Sequence, residues 1–155
     1  MDEVRVVLFL DFDGVLHPVG GTLPRQRMEK LPLLEALLRE PGLQQVGIVI
    51  SSTWRLIQTP AQLRSLFAPD LRQRVLGCTP QLQRHQTQQR RHEDIAAWLR
   101  LHPEVREWVA LDDDFQGFPP SAHGRTVFTD GDTGLTARDI DLLRARLLEA
   151  ASAAG

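Results

Sequence analysis

The sequence predicts an α/β fold in which amphipathic helices cover both faces of a mainly parallel sheet. Three predominantly apolar runs, at residues 4–11, 46–50 and 108–111, have the length and composition of buried strands. Segments with apolar residues at helical spacing separate these runs. Strands that alternate with helices in this way form a parallel sheet with a helical layer on each side.

Each expected strand is a short apolar run that ends in polar residues. The run at 4–11 ends in an acid, the run at 46–50 is followed by two serines, and the run at 108–111 continues into three acids. Shorter strands are expected at 75–76 and at 125–128. The polar groups at the strand ends are the candidates for a functional site, because sites in such sheets lie at the carboxyl ends of the strands.

The helices are indicated by apolar spacing and by residues that favour helix ends. The expected helices are 29–39, 59–67, 93–101 and 136–150. Gly42 and Pro103 follow the first and third helices as stop signals, and Pro60 suits the first turn of the second. Thr136 and Asp139 have the spacing of a capping box, which predicts the start of the last helix.

The composition is that of one soluble globular domain, here expected to span residues 1–155, with 42% apolar and 25% charged residues. The apolar runs are far shorter than the ~20 residues of a membrane span, and Met1-Asp2-Glu3 lacks the basic start of a signal peptide. A cytoplasmic protein without membrane contact is expected. Cys78 is the single cysteine, which excludes an internal disulfide and a cysteine-based zinc site.

The strand ends carry an unusual concentration of oxygen-bearing side chains. These residues are Asp11, Asp13, Ser51, Ser52, Asp112, Asp113 and Asp114. The carboxyl ends of parallel strands meet at one edge of the sheet, so these side chains are expected to converge there. Several carboxylates at one point repel each other unless a cation is present, and oxygen ligands favour Mg²⁺. The sequence therefore predicts a magnesium site.

Asp11 and Asp13 are the candidates for chemistry at this edge. Asp11 ends a buried strand, so rigid backbone holds its carboxylate, which suits a nucleophile or a metal ligand. Asp13, two residues further on, is placed for acid/base work. Gly14 allows the backbone a tight course beside the site.

The segment Asp11-Phe12-Asp13-Gly14-Val15-Leu16 resembles the first signature of phosphatases of the haloacid dehalogenase (HAD) superfamily. Ser51 is similar to the hydroxyl residue that follows the second strand of that family, and Asp112-Asp113 to its terminal acidic pair. The segments SSTWR at 51–55, RHEDIAAWL at 91–99, LDDD at 111–114 and GLT at 134–136 resemble the capless HAD domains of bacterial RNA-repair proteins. The resemblance covers about residues 4–150.

The resemblance implies a Rossmann-like, HAD-like three-layer sandwich with a minimal cap and a Mg²⁺-dependent phosphatase activity. In that mechanism Asp11 attacks phosphorus to give an aspartyl-phosphate, and Asp13 protonates the leaving oxygen and then activates water. Mg²⁺ would be held by the Asp11 carboxylate, the backbone carbonyl of Asp13 and Asp112, with Asp113 as a second choice among the acids.

The resemblance also implies a set of groups for the phosphate and the substrate. Ser51 and a basic residue would bind the phosphoryl oxygens, and Ser52, Arg55 and Gly14 would line the substrate site. The basic residue in this family is usually a lysine, but the single lysine here is Lys30. Arginine must substitute, and the position matches Arg91, with Arg90 as the alternative. Because arginine is bulkier and differs in hydrogen-bond geometry, this replacement is not conservative.

Several other residues have two interpretations. Trp54 is either core packing, which we favour, or a base-stacking platform, and His17 is interpreted as a loop residue without a role. Asp130-Gly-Asp132 is interpreted as a turn, because a calcium loop needs other residues at its fifth and sixth positions. The acid-free stretch 71–92, with five arginines and two histidines, is either a basic lip for a polyanion or a solvated loop.

The expected substrate is large. The intervals from Asp13 to Ser51 and from Ser51 to Arg91 are mostly taken up by the expected helices and strands, which leaves no room for a separate cap domain over a small metabolite. A phosphorylated polynucleotide end is favoured, without an obligate protein partner. The alternatives are a phosphoprotein or small-molecule phosphatase and a non-catalytic module that binds phosphate or nucleic acid. Dehalogenation is disfavoured because it does not require Asp13.

Overall fold

The computed structural model describes residues 3–18 and 28–155. Within these ranges the chain forms a five-stranded parallel sheet with α-helices on both faces. The strands are β1 Val6–Leu10, β2 Gly47–Ile50, β3 Val75–Cys78, β4 Glu107–Asp112 and β5 Thr126–Phe128, in the order β3-β2-β1-β4-β5. The helices are α1 Leu31–Leu38, α2 Pro60–Arg64, α3 Arg90–Arg100 and α4 Ala137–Ala154.

The central strand β1 sets the position of its neighbours at the carboxyl edge of the sheet. All five residues of β1 are buried, as expected for a strand covered on both faces. Leu10 pairs with Ile50 of β2 and with Leu111 of β4. The next residue on each strand, Asp11, Ser51 or Asp112, therefore emerges at the same level of the edge.

Two hydrophobic clusters, one on each face of the sheet, hold the layers together. On one face Leu8 and Ile48 pack with leucines of α1 and α4. On the other face Phe9 packs edge-on against Trp98 of α3, and the cluster also contains Ile95. Alternate residues of each strand face opposite layers. The predicted α/β class, with its three layers and mainly parallel sheet, is confirmed.

The helix boundaries differ from the predicted ones in ways that local contacts explain. Helix α3 starts at Arg90 rather than near residue 93. The carboxylate of Glu93 accepts hydrogen bonds from the backbone N–H groups of Gln86 and Thr87, which folds the preceding loop back onto the first turn. The earlier start places residue 91 on a rigid helix rather than in a loop.

The expectation of a minimal cap holds for the part of the chain that is described. Between Ser51 and Arg91 the chain forms two 3₁₀ turns, the short helix α2 and the edge strand β3. In the interval between Asp13 and Ser51, residues 19–27 lie outside the described part. Among the described residues, the helices are too short or too polar to cross a bilayer.

The stretch 71–92 is not a single element, since it contains a 3₁₀ turn, β3, a loop at residues 79–89 and the start of α3. Arg72 and Arg74 donate hydrogen bonds to backbone carbonyl oxygens, and Arg74 alone serves three of them, on Leu38, Leu43 and Val46. Arg84 and Arg90 are exposed. Two arginines of this stretch are therefore structural, and two are exposed at the surface.

Candidate active site

The strand ends bring the predicted polar residues to one edge of the sheet. The Asp11 backbone N–H donates to the Leu111 carbonyl oxygen, and the Ser51 N–H donates to the Leu10 carbonyl oxygen. These bonds continue the sheet for one residue beyond the strands. Asp11 and Ser51 are therefore fixed by backbone as well as by burial, with about 1% of each residue exposed.

Three carboxylates gather at the ends of β1 and β4. One oxygen of each of Asp11, Asp112 and Asp113 lies within 4.8 Å of the others. Asp11 and Asp112 are buried, whereas Asp113 is half-buried. The Asp112 Oδ1 accepts the backbone N–H of Asp114 at 2.9 Å, which turns the chain away and leaves the Asp114 side chain outside the cluster.

Burial and mutual repulsion hold protons on this cluster. Burial, with the charge of Asp112 as the second cause, raises the pKa of Asp11 to about 9, although Arg91 opposes the shift. Burial also raises the pKa of Asp112 to about 7, again against Arg91. A divalent cation would relieve both effects, because it supplies positive charge where water is excluded. Closely spaced, buried, oxygen-only donors are the set that suits Mg²⁺.

Arg91 is the cation that the fold places on these acids. Its Nη2 lies 3.4 Å from Asp11 Oδ1 and its Nε 3.5 Å from Asp112 Oδ2. Its Nη1 donates to the Ser51 carbonyl oxygen at 2.8 Å. Burial lowers the pKa of Arg91, but Asp11 and Asp112 outweigh burial and raise it above its usual range. Arg90, the alternative in the sequence, is exposed on the first turn of α3.

The two serines after β2 differ in what their hydroxyls contact. Ser52 is fully buried, and its Oγ accepts the backbone N–H of Trp54 and so caps a 3₁₀ turn. The Ser51 Oγ is also buried, yet it has no hydrogen-bond partner among the described residues. A buried hydroxyl without a partner is costly, and this one belongs to the residue whose carbonyl oxygen accepts a hydrogen bond from Arg91.

The Asp13 side chain lies apart from the three clustered carboxylates and is held by two rings. The Trp54 Nε1 donates to Asp13 Oδ1 at 3.0 Å, and the His17 Nε2 lies 2.8 Å from the same oxygen. Trp54 also packs edge-on against Phe12. Trp54 therefore does more than pack in the core, and His17 is more than a loop residue, because both contact Asp13. Sequence spacing does not reveal this shared contact.

Arg55 is held in the wall of the site by a buried acid of α3. Its Nη2 lies 3.2 Å from Asp94 Oδ2, and its Nη1 donates to the Ser52 carbonyl oxygen at 2.8 Å. The other oxygen of Asp94 is 2.9 Å from the Nε2 of His85. Asp94 and Arg91 are three residues apart and lie on one side of α3. That side therefore fixes the backbone of both serines through two guanidinium groups.

Two glycines shape the backbone around the site. Gly14 has a φ of 77°, which favours glycine, and its N–H donates to the His17 carbonyl oxygen in the tight turn after Asp13. A Cβ at Gly117 would lie 2.6 Å from Asp114 Oδ2 and 2.9 Å from Arg91 Cγ. Glycine at position 117 therefore allows the loop after β4 to pack directly on Arg91. No sequence pattern marks Gly117, because its contact with Arg91 is long-range.

The Asp130-Gly-Asp132 segment forms the expected turn. The Asp130 Oδ1 accepts the backbone N–H of Asp132, and the Asp130 carbonyl oxygen accepts that of Gly134. Both bonds are local, as in turns opened by an aspartate.

Comparison with known proteins gives one family. The family model described as the HAD domain in Swiss Army Knife RNA repair proteins matches residues 7–140. This match includes β1 from its second residue, the other four strands and every residue of the site, and it confirms the resemblance drawn from the motifs. Searches of curated proteins and of solved structures gave no match.

The raised pKa values predict that the site destabilises the metal-free protein as the pH rises. An unfolded aspartate loses its proton near pH 4, whereas the folded chain keeps protons on Asp112 to about pH 7 and on Asp11 to about pH 9. The stability that this linkage contributes is present at low pH and is lost as pH rises through that window. With a chelator at pH 8, Asp11→Asn should therefore raise the free energy of unfolding by roughly 1–3 kcal/mol.

Urea unfolding of both proteins at pH 5 and pH 8, with chelator or with Mg²⁺, measures this difference. The gap should widen from pH 5 to pH 8 and narrow when Mg²⁺ is added. Asp132→Asn, which removes an exposed carboxylate, is the matched control. A variant that is less stable than the wild type at pH 8 in chelator would contradict the electrostatic description of this site.

Proposed function

We propose a function for this chain from its family, because the chain belongs to the HAD domains in Swiss Army Knife RNA repair proteins. The proposed function is that of a Mg²⁺-dependent phosphohydrolase, which acts through an aspartyl-phosphate. Its proposed substrates are the terminal phosphates of polynucleotides. The observation that carries the proposal is the carboxylate trio of the buried Asp11 and Asp112 with the half-buried Asp113, which lies beside Arg91 and the unpartnered hydroxyl of Ser51. Such an arrangement supplies a nucleophile, a cation site and a phosphate site within one small volume.

The phosphate would bind between Ser51 and Arg91. The Ser51 hydroxyl would gain its missing partner by donating to a phosphoryl oxygen. Arg91 would turn one of its N–H groups from the carboxylates to a second oxygen, and its bond to the Ser51 carbonyl would keep the two groups aligned. Both contacts act on the equatorial oxygens that carry the charge of the transferred group, so they would position it and stabilise it in the transition state.

In the first step a carboxylate oxygen of Asp11 attacks phosphorus. A bond forms between that oxygen and phosphorus while the bond from phosphorus to the leaving oxygen breaks, and the leaving oxygen takes a proton from Asp13. In the second step Asp13 removes a proton from water, the water oxygen bonds to phosphorus, and the bond to Asp11 breaks. Inorganic phosphate leaves, and both aspartates return to their starting states. Trp54 and His17 would hold the Asp13 carboxylate in position for both proton transfers.

Mg²⁺ would be held by the carboxylates of Asp11, Asp112 and Asp113, with the backbone carbonyl of Asp13 as a further ligand. When bound, the ion neutralises the clustered carboxylates and stabilises charge on the phosphoryl oxygens. Asp11 would then be ionised at neutral pH and available as a nucleophile, although burial alone favours its protonated form.

Phosphate release from a panel of substrates tests the proposal. The panel contains 3′- and 5′-phosphorylated RNA and DNA, phosphopeptides and small phosphate esters, each with Mg²⁺, with Ca²⁺ and with chelator. Release should need Mg²⁺ and should fall by at least about 10³-fold in Asp11→Asn, since the amide is nearly isosteric but is a poor nucleophile. The Asp132→Asn variant is the control. Binding of phosphorylated ligands without any release would favour the non-catalytic module instead.

Arg91→Ala should lower kcat/KM for a small phosphate ester by roughly 10²-fold or more, because it removes the positioned cation beside the nucleophile. Arg91→Lys restores a charge and should recover part of the loss. Arg90→Ala is the informative comparison, since Arg90 is the exposed neighbour on the same helix turn. A larger loss in Arg90→Ala than in Arg91→Ala would refute the assignment of Arg91.

A polynucleotide end should be a better substrate than a sugar phosphate. The described part of the chain contains no cap domain, so further binding energy must come from a ligand that extends beyond its phosphate, and the exposed arginines Arg84 and Arg90 are available to neighbouring phosphates. Each such contact to a single strand changes the slope of log affinity against log salt by about 0.7. Arg84→Ala should therefore flatten the salt dependence of KM for a phosphorylated oligonucleotide, whereas Arg100→Ala, at the far end of α3, should not.

Kinetics between low and physiological salt decide this point. If the sugar phosphate has the higher kcat/KM throughout, or if oligonucleotide turnover does not depend on salt, the polynucleotide substrate is rejected while the phosphohydrolase assignment stands.

A further inference from the structure

A pocket with a volume of about 300 Å³ lies beside the carboxylate cluster, on its β4 side. Its lining includes Gln88, Gln89, Asp114, Phe115, Gln116 and His123. We propose that this pocket binds the nucleobase of the nucleotide whose phosphate reacts, with Phe115 as the stacking platform. The proposal deepens the proposed function and rests on it for the position of that phosphate.

Phe115 is an aromatic ring presented to solvent on a firm support. Its side chain is 56% exposed, which is unusual for a large apolar ring. The His123 ring centroid lies 4.4 Å from its own, and the Phe128 centroid lies 4.9 Å away. Phe128 belongs to β5 and also contacts Phe118, so the support is part of the sheet. A ring that is already fixed in place loses little conformational entropy when a base stacks on it.

The pocket and the carboxylate site share a wall. The Asp114 backbone N–H donates to Asp112 Oδ1, and the Asp114 side chain lines the pocket. Gly117, also in the lining, packs on the stem of Arg91 closely enough that a Cβ there would collide with it. A phosphate held by Arg91 would therefore have its own nucleotide next to Phe115.

The polar groups of the pocket suit the edge of a base. Gln88 and Gln116 are exposed and Gln89 is half-buried, and each amide offers both donors and an acceptor. The Asp114 Oδ1 is already engaged by the N–H of Gly117. Neutral amides around an aromatic face are typical of sites that stack bases and read their hydrogen-bonding edges. A bare phosphate would make no contact with the Phe115 ring.

A larger cavity, of about 640 Å³, lies at the opposite edge of the sheet, where Arg5 precedes β1 and Ala154 ends α4. It is separated from the carboxylates by the length of the strands. A ligand there has no route to the chemistry, so the smaller pocket beside Arg91 is the one that bears on the substrate.

The test compares two oligonucleotides whose terminal phosphate sits on either a normal or an abasic nucleotide. Wild-type protein should prefer the normal end in kcat/KM by about 5- to 150-fold, the size expected for one base on an aromatic ring. Phe115→Ala should bring this ratio close to one, and Phe115→Trp should keep it. Leu101→Ala, which truncates a side chain that is 72% exposed just past the far end of α3, should keep the wild-type ratio.

A second measurement separates this proposal from the phosphohydrolase assignment. Quenching of 2-aminopurine at the phosphorylated terminus reports stacking in the Asp11→Asn protein without turnover. Turnover with equal rates on both ends, or a ratio that survives Phe115→Ala, overturns the base pocket and leaves the enzyme intact. If quenching depends on Phe115 but the wild type releases no phosphate, the nucleobase pocket is supported and the phosphohydrolase assignment is rejected. A greater Phe115 dependence for a phosphotyrosine peptide than for the oligonucleotide also overturns the nucleobase assignment.

Discussion

The burial of Asp11 and Asp112 at one edge of the sheet is the constraint on which the arrangement of this site depends. The parallel register of β1 with β4 places these two carboxylates at the same level, and burial, more than the charge of neighbouring acids, raises the pKa of both. The backbone of both residues is held by the hydrogen bonds of the sheet, so the carboxylates cannot move apart freely. The negative charge that the fold gathers here favours a cation at the proposed metal and phosphate site.

Helix α3 supplies the counter-charge, and its position explains several other residues. From one side it directs Arg91 onto the acids and Asp94 onto Arg55, and these two arginines hold the carbonyl oxygens of Ser51 and Ser52. Its inner apolar side packs through Trp98 on Phe9 of β1. The same strand that positions Asp11 therefore anchors the helix that positions Arg91, so these two residues cannot shift independently.

Much of this site could be predicted from the sequence, because it follows from short-range patterns. Apolar runs that end in Asp11, Ser51 and Asp112 specify strands and their polar ends, and parallel topology does the rest. The contacts of Trp54 and His17 with Asp13 could not be predicted in this way, nor could the need for glycine at position 117. These depend on how separate segments pack, which no periodicity encodes. The start of α3 at Arg90 has a different reason, because it depends on a local contact between Glu93 and the loop just before the helix, which apolar spacing does not indicate.

Trapping the proposed aspartyl-phosphate is the most direct test of whether Asp11 is the nucleophile. Acid quenching of a Mg²⁺ reaction within the first turnover, followed by borohydride reduction, converts an aspartyl-phosphate to homoserine, which peptide mass spectrometry can locate. We predict homoserine at position 11, with Asp13, Asp112 and Asp113 unchanged. Homoserine at another aspartate, or phosphate release with no reduced residue at any time point, would contradict the mechanism.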